Sequence, residues 1–185
     1  MLKNHPLEKF RYCPVCGNAR WVVNDFKSKR CEACAFVYYA NAAAATAAII
    51  VNSRGEMLAV RRAKEPAKGT LDLPGGFVDM GESIEQGMRR EILEETGLQV
   101  TAMDYLFSLP NDYLYSGMTI HTVDAVFLVH VGDDVKPQAA DDAADCLWIP
   151  VSDVNPADFG LTSISRAVER FTQADKAPRV RDRKV

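Results

Sequence analysis

Apolar residues run almost unbroken from Ala42 to Val51, with Thr46 the one interruption, and the run predicts a buried strand over Ala44–Asn52. Ser53-Arg54-Gly55 is a turn signal, so Met57–Arg61 reads as the returning strand of a hairpin. Thr70–Leu73 is a short extended piece that stops at Pro74-Gly75-Gly76. The period then changes. Ser83 with Gln86 three residues on forms a capping box, and the helix it opens runs to about Thr96 and ends at Gly97. Strands are predicted over Gln99–Leu106 and Thr119–Val131, then a polar loop through Asp133-Asp134 and Pro137–Asp145, then a short strand over Cys146–Ile149. A second helix over Ser163–Gln173 carries Ile164, Ala167, Val168 and Phe171 at helical spacing, a core face. The alternation of strands and helices places this part in the α/β class.

The first forty residues have a different character. They hold four of the five cysteines, as Cys13-x2-Cys16 and Cys31-x2-Cys34 separated by 14 residues. Each pair offers two sulfurs to one ion, so the four make a tetrahedral thiolate site for Zn²⁺. Disulfides or unrelated thiol pairs are the alternatives; a reducing compartment argues against disulfides. Between the pairs lie Trp21-Val22-Val23, Phe26, Lys27, Lys29 and Arg30. So short a module buries little core, and metal binding would supply its folding energy. The basic cluster could meet nucleic acid or a substrate phosphate, though a solvated face is the commoner outcome. The expected organisation is a zinc ribbon over 1–41, a larger α/β domain over 42–175 and a charged, disordered tail over 176–185.

At 185 residues the chain has room for one domain and a small module, and its net charge of -3 offers no global basic field to attract nucleic acid. No apolar run approaches the roughly 20 residues of a bilayer span. The N-terminal MLKNHPLEKFRYC lacks the apolar core of a secretory signal, so a cytoplasmic location without membrane partners is expected.

Glu91, Glu94 and Glu95 stand at i, i+3 and i+4 of the predicted helix and line one face of it. Such crowding destabilises a helix unless a cation gathers the charges, and an all-carboxylate set suits Mg²⁺ or Mn²⁺. Glu82 stands just before the helix, and Arg90 lies one turn from Glu94, able to hold a carboxylate in orientation. Taken alone, the three glutamates fit equally well a solvated face paired with Arg89, Arg90 and Lys64.

The full spacing is Gly76-x5-Glu82-x7-Arg90-Glu91-Ile92-x-Glu94-Glu95-x-Gly97-Leu98. It matches every fixed position of the Nudix box, and the chain closely resembles a Nudix hydrolase over about Ala42–Gln173. The resemblance implies a mixed sheet sandwiched between helices, an α/β/α architecture. It also implies hydrolysis of a nucleoside diphosphate linked to another group, X. Carried over to this chain, Glu91, Glu94 and Glu95 would hold divalent metals with the Gly76 carbonyl, Arg90 would orient Glu91, and Glu82 would support the loop. The metals would neutralise the pyrophosphate and activate a water. In Nudix enzymes the acid that takes the proton often lies on a loop outside the box; here Asp141, Asp142 and Asp145 are candidates, with Asp145 favoured.

A zinc ribbon ahead of a Nudix domain also resembles the arrangement in NADH pyrophosphatases, whose Ser-Gln-Pro-Trp-Pro-Phe-Pro signature helps to select NADH. The corresponding Ser108-Leu109-Pro110-Asn111-Asp112-Tyr113 shares only the serine and the proline, and the chain is expected to lack most of that family's N-terminal domain. Tyr113 and Tyr115 lie where several Nudix enzymes contact a base or ribose; they could stack on one, or simply pack on the sheet. The expected substrate is a nucleotide-type small molecule such as NADH or ADP-ribose, with a capped RNA end or nucleotide sensing, the ribbon docking nucleic acid, as the alternative. The ribbon could also brace a homodimer. His121 reads as a packed histidine and Cys146 as a small buried hydrophobe.

Overall fold

The computed structural model describes residues 5–176. They divide into two compact units, one within Met1–Ala43 and Asp112–His121, the other within Ala44–Asn111 and Thr122–Val185.

In the first unit β1 (Trp21–Asp25), β2 (Ser28–Cys31) and β3 (Val37–Tyr39) form an antiparallel sheet, with Trp21 opposite Cys31 and Lys29 opposite Tyr38. Its core is small: Cys13, Trp21 and Cys31 are buried, and Phe36 stacks on Trp21 with ring centroids 6.2 Å apart. So little apolar area makes the ordering of this unit lean on whatever joins the cysteines.

The second unit is a mixed α/β fold on a six-stranded sheet. β4 (Ala43–Asn52) and β5 (Glu56–Arg62) are joined by the predicted turn, and β6 (Leu71–Asp72) and β9 (Ala143–Pro150) both pair with β5. β8 (Met118–Val131) lies beside β4, and β7 (Asp104–Tyr115) beside β8. Successive residues of a strand face opposite sides, and here both sides are covered. Ala47 and Ile49 of β4, Met57 and Ala59 of β5 and Val126 of β8 join one core with Ile164, Ala167 and Val168 of α2 (Thr162–Lys176). Ala48, Ile50, Leu58, Ala125, Phe127 and Val129 join the other with Met88 and Ile92 of α1 (Ile84–Thr96). That two-sided burial is why Ala47–Ile50 is apolar at both parities.

Two boundaries moved. The strand expected over Gln99–Leu106 starts at Asp104 and runs on through Pro110 to Tyr115. A proline is tolerated there because β7 is the last strand of the sheet order, with a free edge on which no N–H is needed. The last strand begins at Ala143, three residues before the expected Cys146, because Arg62, Arg61 and Val60 of β5 pair with Ala143, Asp145 and Cys146. The β7–β8 connection is the two-residue turn Ser116-Gly117, both at positive φ, the geometry that suits the right-handed twist of a hairpin. This hairpin tip is grouped with the first unit, a long-range pairing with no local sequence signal. Lys176 closes α2, and the remainder of the charged tail, 177–185, lies outside the described residues. Among the described residues no helix is long and apolar enough to cross a membrane.

Candidate active site

Helix α1 is set in phase by its ends. Ser83 Oγ accepts from the Gln86 N–H at 3.2 Å and Gln86 Oε1 accepts from the Ser83 N–H at 2.7 Å, so the capping box is reciprocal. Gly97, left-handed at φ 70°, closes the helix and donates its N–H to the Leu93 carbonyl. Between these caps Met88, Ile92, Glu95 and Thr96 share the buried face. Two apolar residues thus carry the Glu95 carboxylate inward, to 7% exposure. The side chain of Glu91 is largely buried and that of Glu94 half exposed.

The glycine turn runs alongside β4. Ala48 N–H donates to Pro74 O, Thr46 N–H to Gly76 O and Val78 N–H to Ala44 O, each within 3.0 Å. Gly75 donates its N–H to Glu95 Oε2 at 3.0 Å, while the Glu91 carboxylate lies against the Cα of Gly76, where an added Cβ would stand 2.6 Å from Oε1. The Gly76 carbonyl, already accepting from Thr46, keeps a second lone pair.

Arg90 knots the carboxylates together. Nε and Nη2 donate to the two oxygens of Glu82 at 2.9 and 3.0 Å, a bidentate pair. Nη1 donates to Glu91 Oε1 at 2.8 Å and Glu94 Oε2 at 3.0 Å, and Nη2 also reaches the Phe77 carbonyl. One guanidinium therefore spans three of the box glutamates and the turn before the helix. The Arg90 hydrogen bonds hold Glu82 below its ordinary value.

Glu95 is not among the Arg90 partners. Burial pushes it up to about 8, against the Gly75 N–H, and the charges of Asp72, Glu91 and Asp142 push the same way. Glu91 is likewise raised, by burial first, with Glu94 and Asp141 adding to it and Arg90 opposing. A buried carboxylate accepting one backbone hydrogen bond, beside other carboxylates, has unspent acceptor capacity and too little positive charge. That donor set fits a hard divalent cation.

One member of this neighbourhood, Asp72, was not singled out from the sequence. Asp72, buried on β6, accepts from Arg62 and from the Leu73 N–H, and its charge bears on Glu95. Its signal was an acid between Leu71 and Leu73 directly before the glycine turn. Asp141 and Asp142 sit on the loop that docks on the helix end through Gln138 N–H to Thr96 O and Ala140 N–H to Glu95 O. Lys64 pairs with both aspartates. Asp145 stands elsewhere on the strand, exposed and opposite Arg61, its Oδ1 accepting from the Cys146 N–H. Cys146 packs at the edge of the α1-side core, and burial raises it to about 11.

The remaining predicted residues fall in the first unit. Cys13, Cys16, Cys31 and Cys34 bring their sulfurs within 4.8 Å of one another, with Cys13–Cys34 at 3.7 Å and Cys16–Cys31 at 3.6 Å. Zinc bound tetrahedrally at about 2.3 Å would set sulfurs about 3.8 Å apart, so the cluster fits that ion. All are free thiols, and backbone N–H groups of Cys34 and Ala33 bring Cys31 down to about 6 despite burial. Tyr113 and Tyr115 stack on each other with centroids 6.4 Å apart and Tyr115 exposed. His121, expected to be packed, is half-buried with Nδ1 2.6 Å from Asp112 Oδ1. Lys29, expected on a solvated face, is buried.

The family model described as NUDIX domain matches residues 41–170. This chain belongs to the Nudix family. It is 27% identical over 173 residues to the NAD-capped RNA hydrolase NudC of Vibrio cholerae, an alignment that covers 94% of this chain and 61% of that one. It is 34% identical over 125 residues to the ADP-ribose pyrophosphatase of Methanocaldococcus jannaschii, covering 66% and 70%. Its fold matches a Nudix hydrolase of Nitrosomonas europaea at TM-score 0.66 and 18% identity, over 90% and 92% of the two chains. The chain spans half to three fifths of the length of the first curated Nudix relatives it matches.

Proposed function

We propose that this Nudix protein is a metal-dependent pyrophosphohydrolase that cleaves the diphosphate link of a dinucleotide or nucleotide sugar, NADH, ADP-ribose or a close relative. The observation that carries the reading is Glu95, buried beside Glu91 and Asp72 with no cationic side chain paired to it among the described residues while Arg90 is occupied by Glu82, Glu91 and Glu94. Mg²⁺ or Mn²⁺ held by Glu91, Glu94, Glu95 and the Gly76 carbonyl would offset the pyrophosphate charge and lower the pKa of a water nucleophile. Arg90 fixes the rotamers of Glu91 and Glu94, and its bidentate grip on Glu82 ties them to the glycine turn. For the proton acceptor the candidates are Asp141 and Asp142, whose charges act on Glu91 and Glu95, and Asp145 on the adjoining strand. The stacked Tyr113–Tyr115 pair offers an aromatic face for a base.

The substrate class rests on the relatives. NAD and ADP-ribose share an adenosine diphosphate group joined to ribose, and both are named in proteins similar to this chain. The NAD-capped RNA hydrolases among them support a second reading, in which the same group stands at an RNA end. We place structural Zn²⁺ at the four cysteines and the protein in the cytoplasm, a compartment in which its thiols stay reduced.

The test is hydrolysis of NADH, NAD, ADP-ribose, FAD, diadenosine polyphosphates, nucleoside triphosphates and NAD-capped RNA with Mg²⁺ or Mn²⁺. Glu95→Gln, which keeps the shape and removes the charge, is expected to lose at least a hundredfold in kcat while retaining the fold by circular dichroism. Unaltered turnover in that variant would remove the metal assignment.

A further inference from the structure

The first unit holds an apolar cavity of about 220 Å³, lined by Leu7, Phe10, Tyr12, Pro14, Trp21 and Tyr38. Four of the six are aromatic, and Phe10, Tyr12 and Tyr38 are each about half exposed or more. A module so short of core would normally bury such rings. One polar atom of the cavity lining lacks a hydrogen-bond partner among the described residues, and a lysine bonded to a lining residue lacks a counter-charge among them. The indole Nε1 of Trp21, in a residue 6% exposed, has no hydrogen-bond partner among the described residues. Lys29, 8% exposed and cross-strand from Tyr38, gives its ammonium to the neutral Phe10 carbonyl at 2.8 Å, with no carboxylate in ion-pair reach among the described residues. A buried cation without a counter-charge is costly, and an anion brought to it would relieve that cost.

The surrounding charge agrees in sign. Residues 1–43 carry seven Lys and Arg against three Asp and Glu, +4 in a chain of net charge -3. Arg11 and Arg20 adjoin cavity residues in sequence and are exposed. Lys27 lies 5.9 Å from the ring centroids of both Phe26 and Tyr39. Exposed rings interleaved with cations are the composition of a surface that stacks bases and tracks phosphates. An apolar protein segment would use the rings but leave Lys29 and the arginines without counter-charges.

We propose that this cavity is a docking site for single-stranded nucleic acid. An unpaired base stacks on the exposed rings of Phe10, Tyr12 and Tyr38, and backbone phosphates meet Arg11 and Arg20, with the Lys29 charge behind them. The site stands on residues of the first unit alone and does not depend on the hydrolytic reading.

The experiment is fluorescence anisotropy of the full chain with a labelled ten-nucleotide RNA bearing a 5′-hydroxyl, which offers no pyrophosphate to cleave. The expected result is binding that weakens between 50 and 200 mM salt, with a log–log slope of about -0.7 per phosphate neutralised. Phe10→Ala and Tyr12→Ala, with zinc content checked to confirm the fold, should each weaken it roughly fivefold or more. Lys29→Met should weaken it and reduce the salt slope. Glu95→Gln should bind as the wild type does, so a failure of the catalytic reading would show in hydrolysis and leave this result standing. Absence of binding at low salt, equal binding by the folded aromatic variants, equal affinity for a duplex of the same length, or equal displacement by free AMP would each overturn the site.

Discussion

Gly75 and Gly76 are neighbours that exclude a side chain for different reasons, and the difference separates stability from catalysis. A Cβ on Gly75 would meet the Thr46 carbonyl oxygen at 2.1 Å and the Ala47 Cα at 2.8 Å, both backbone atoms of a central strand. The atoms nearest a Cβ on Gly76 would be the carboxylate of Glu91, at the end of a side chain. Gly75→Ala is therefore expected to lower the melting temperature by several degrees, the strand itself having to shift. Gly76→Ala should melt near the wild type and lose tenfold or more in kcat, because Glu91 must leave its place. Thermal melts and steady-state kinetics on both variants separate the two. Glu95 gives a pH signature at the same scale. Its group titrates near 4.5 when unfolded and at about 8 when folded, so the folded state binds more protons between those values. In divalent-free buffer its contribution to stability is full below about pH 4.5 and is lost as pH rises through about 8. Denaturant midpoints across pH 5 to 8.5 should fall, and Glu95→Gln should flatten the fall; a slope unchanged in that variant would refute the assignment.

Helix α1 shows which elements can be read from sequence and which need the fold. Its ends were legible because Ser83, Gln86 and Gly97 act on their own backbone within four residues. That Glu91, Glu94 and Glu95 lie close together on the helix was legible because the box spacing sets them at i, i+3 and i+4. Asp72 and the docking of Asp141 and Asp142 were not, since each depends on a partner far along the chain, Arg62, Lys64 or the helix end. The extent of β7 was missed because a proline usually ends a strand, and only the sheet order shows that this one has a free edge. Ile92, fully buried one residue after Glu91, couples helix packing to the site. Ile92→Ala is expected to cost about 2–5 kcal/mol in urea unfolding. The loss of kcat at temperatures where the variant remains folded should be small, because Arg90 still holds Glu82, Glu91 and Glu94.

At the scale of the whole molecule, the division into units predicts how metal loss spreads. Among the described residues the first unit has one small buried cluster, Cys13, Trp21 and Cys31, and four clustered cysteines, whereas the second has two cores that cover its sheet on both sides. Removing the Zn²⁺ we propose at the four cysteines would leave four thiols in contact and little apolar burial to hold the three-stranded sheet, so that unit should open while the second stays folded. The hairpin tip makes the prediction specific. Asp112–His121 belongs to the first unit, and Lys9 donates to the Gly117 carbonyl there, although the strands that carry the tip are rooted in the second. Hydrogen exchange after zinc chelation, or in Cys31→Ser, should therefore rise in β1, β2 and β3 and also at 112–121, more than seventy residues further along the chain. Amides of β4, β5 and α1 should keep their protection. Exchange confined to the N-terminal segment, with the hairpin tip unmoved, would show that the tip is held by its own turn and not by the zinc-dependent unit.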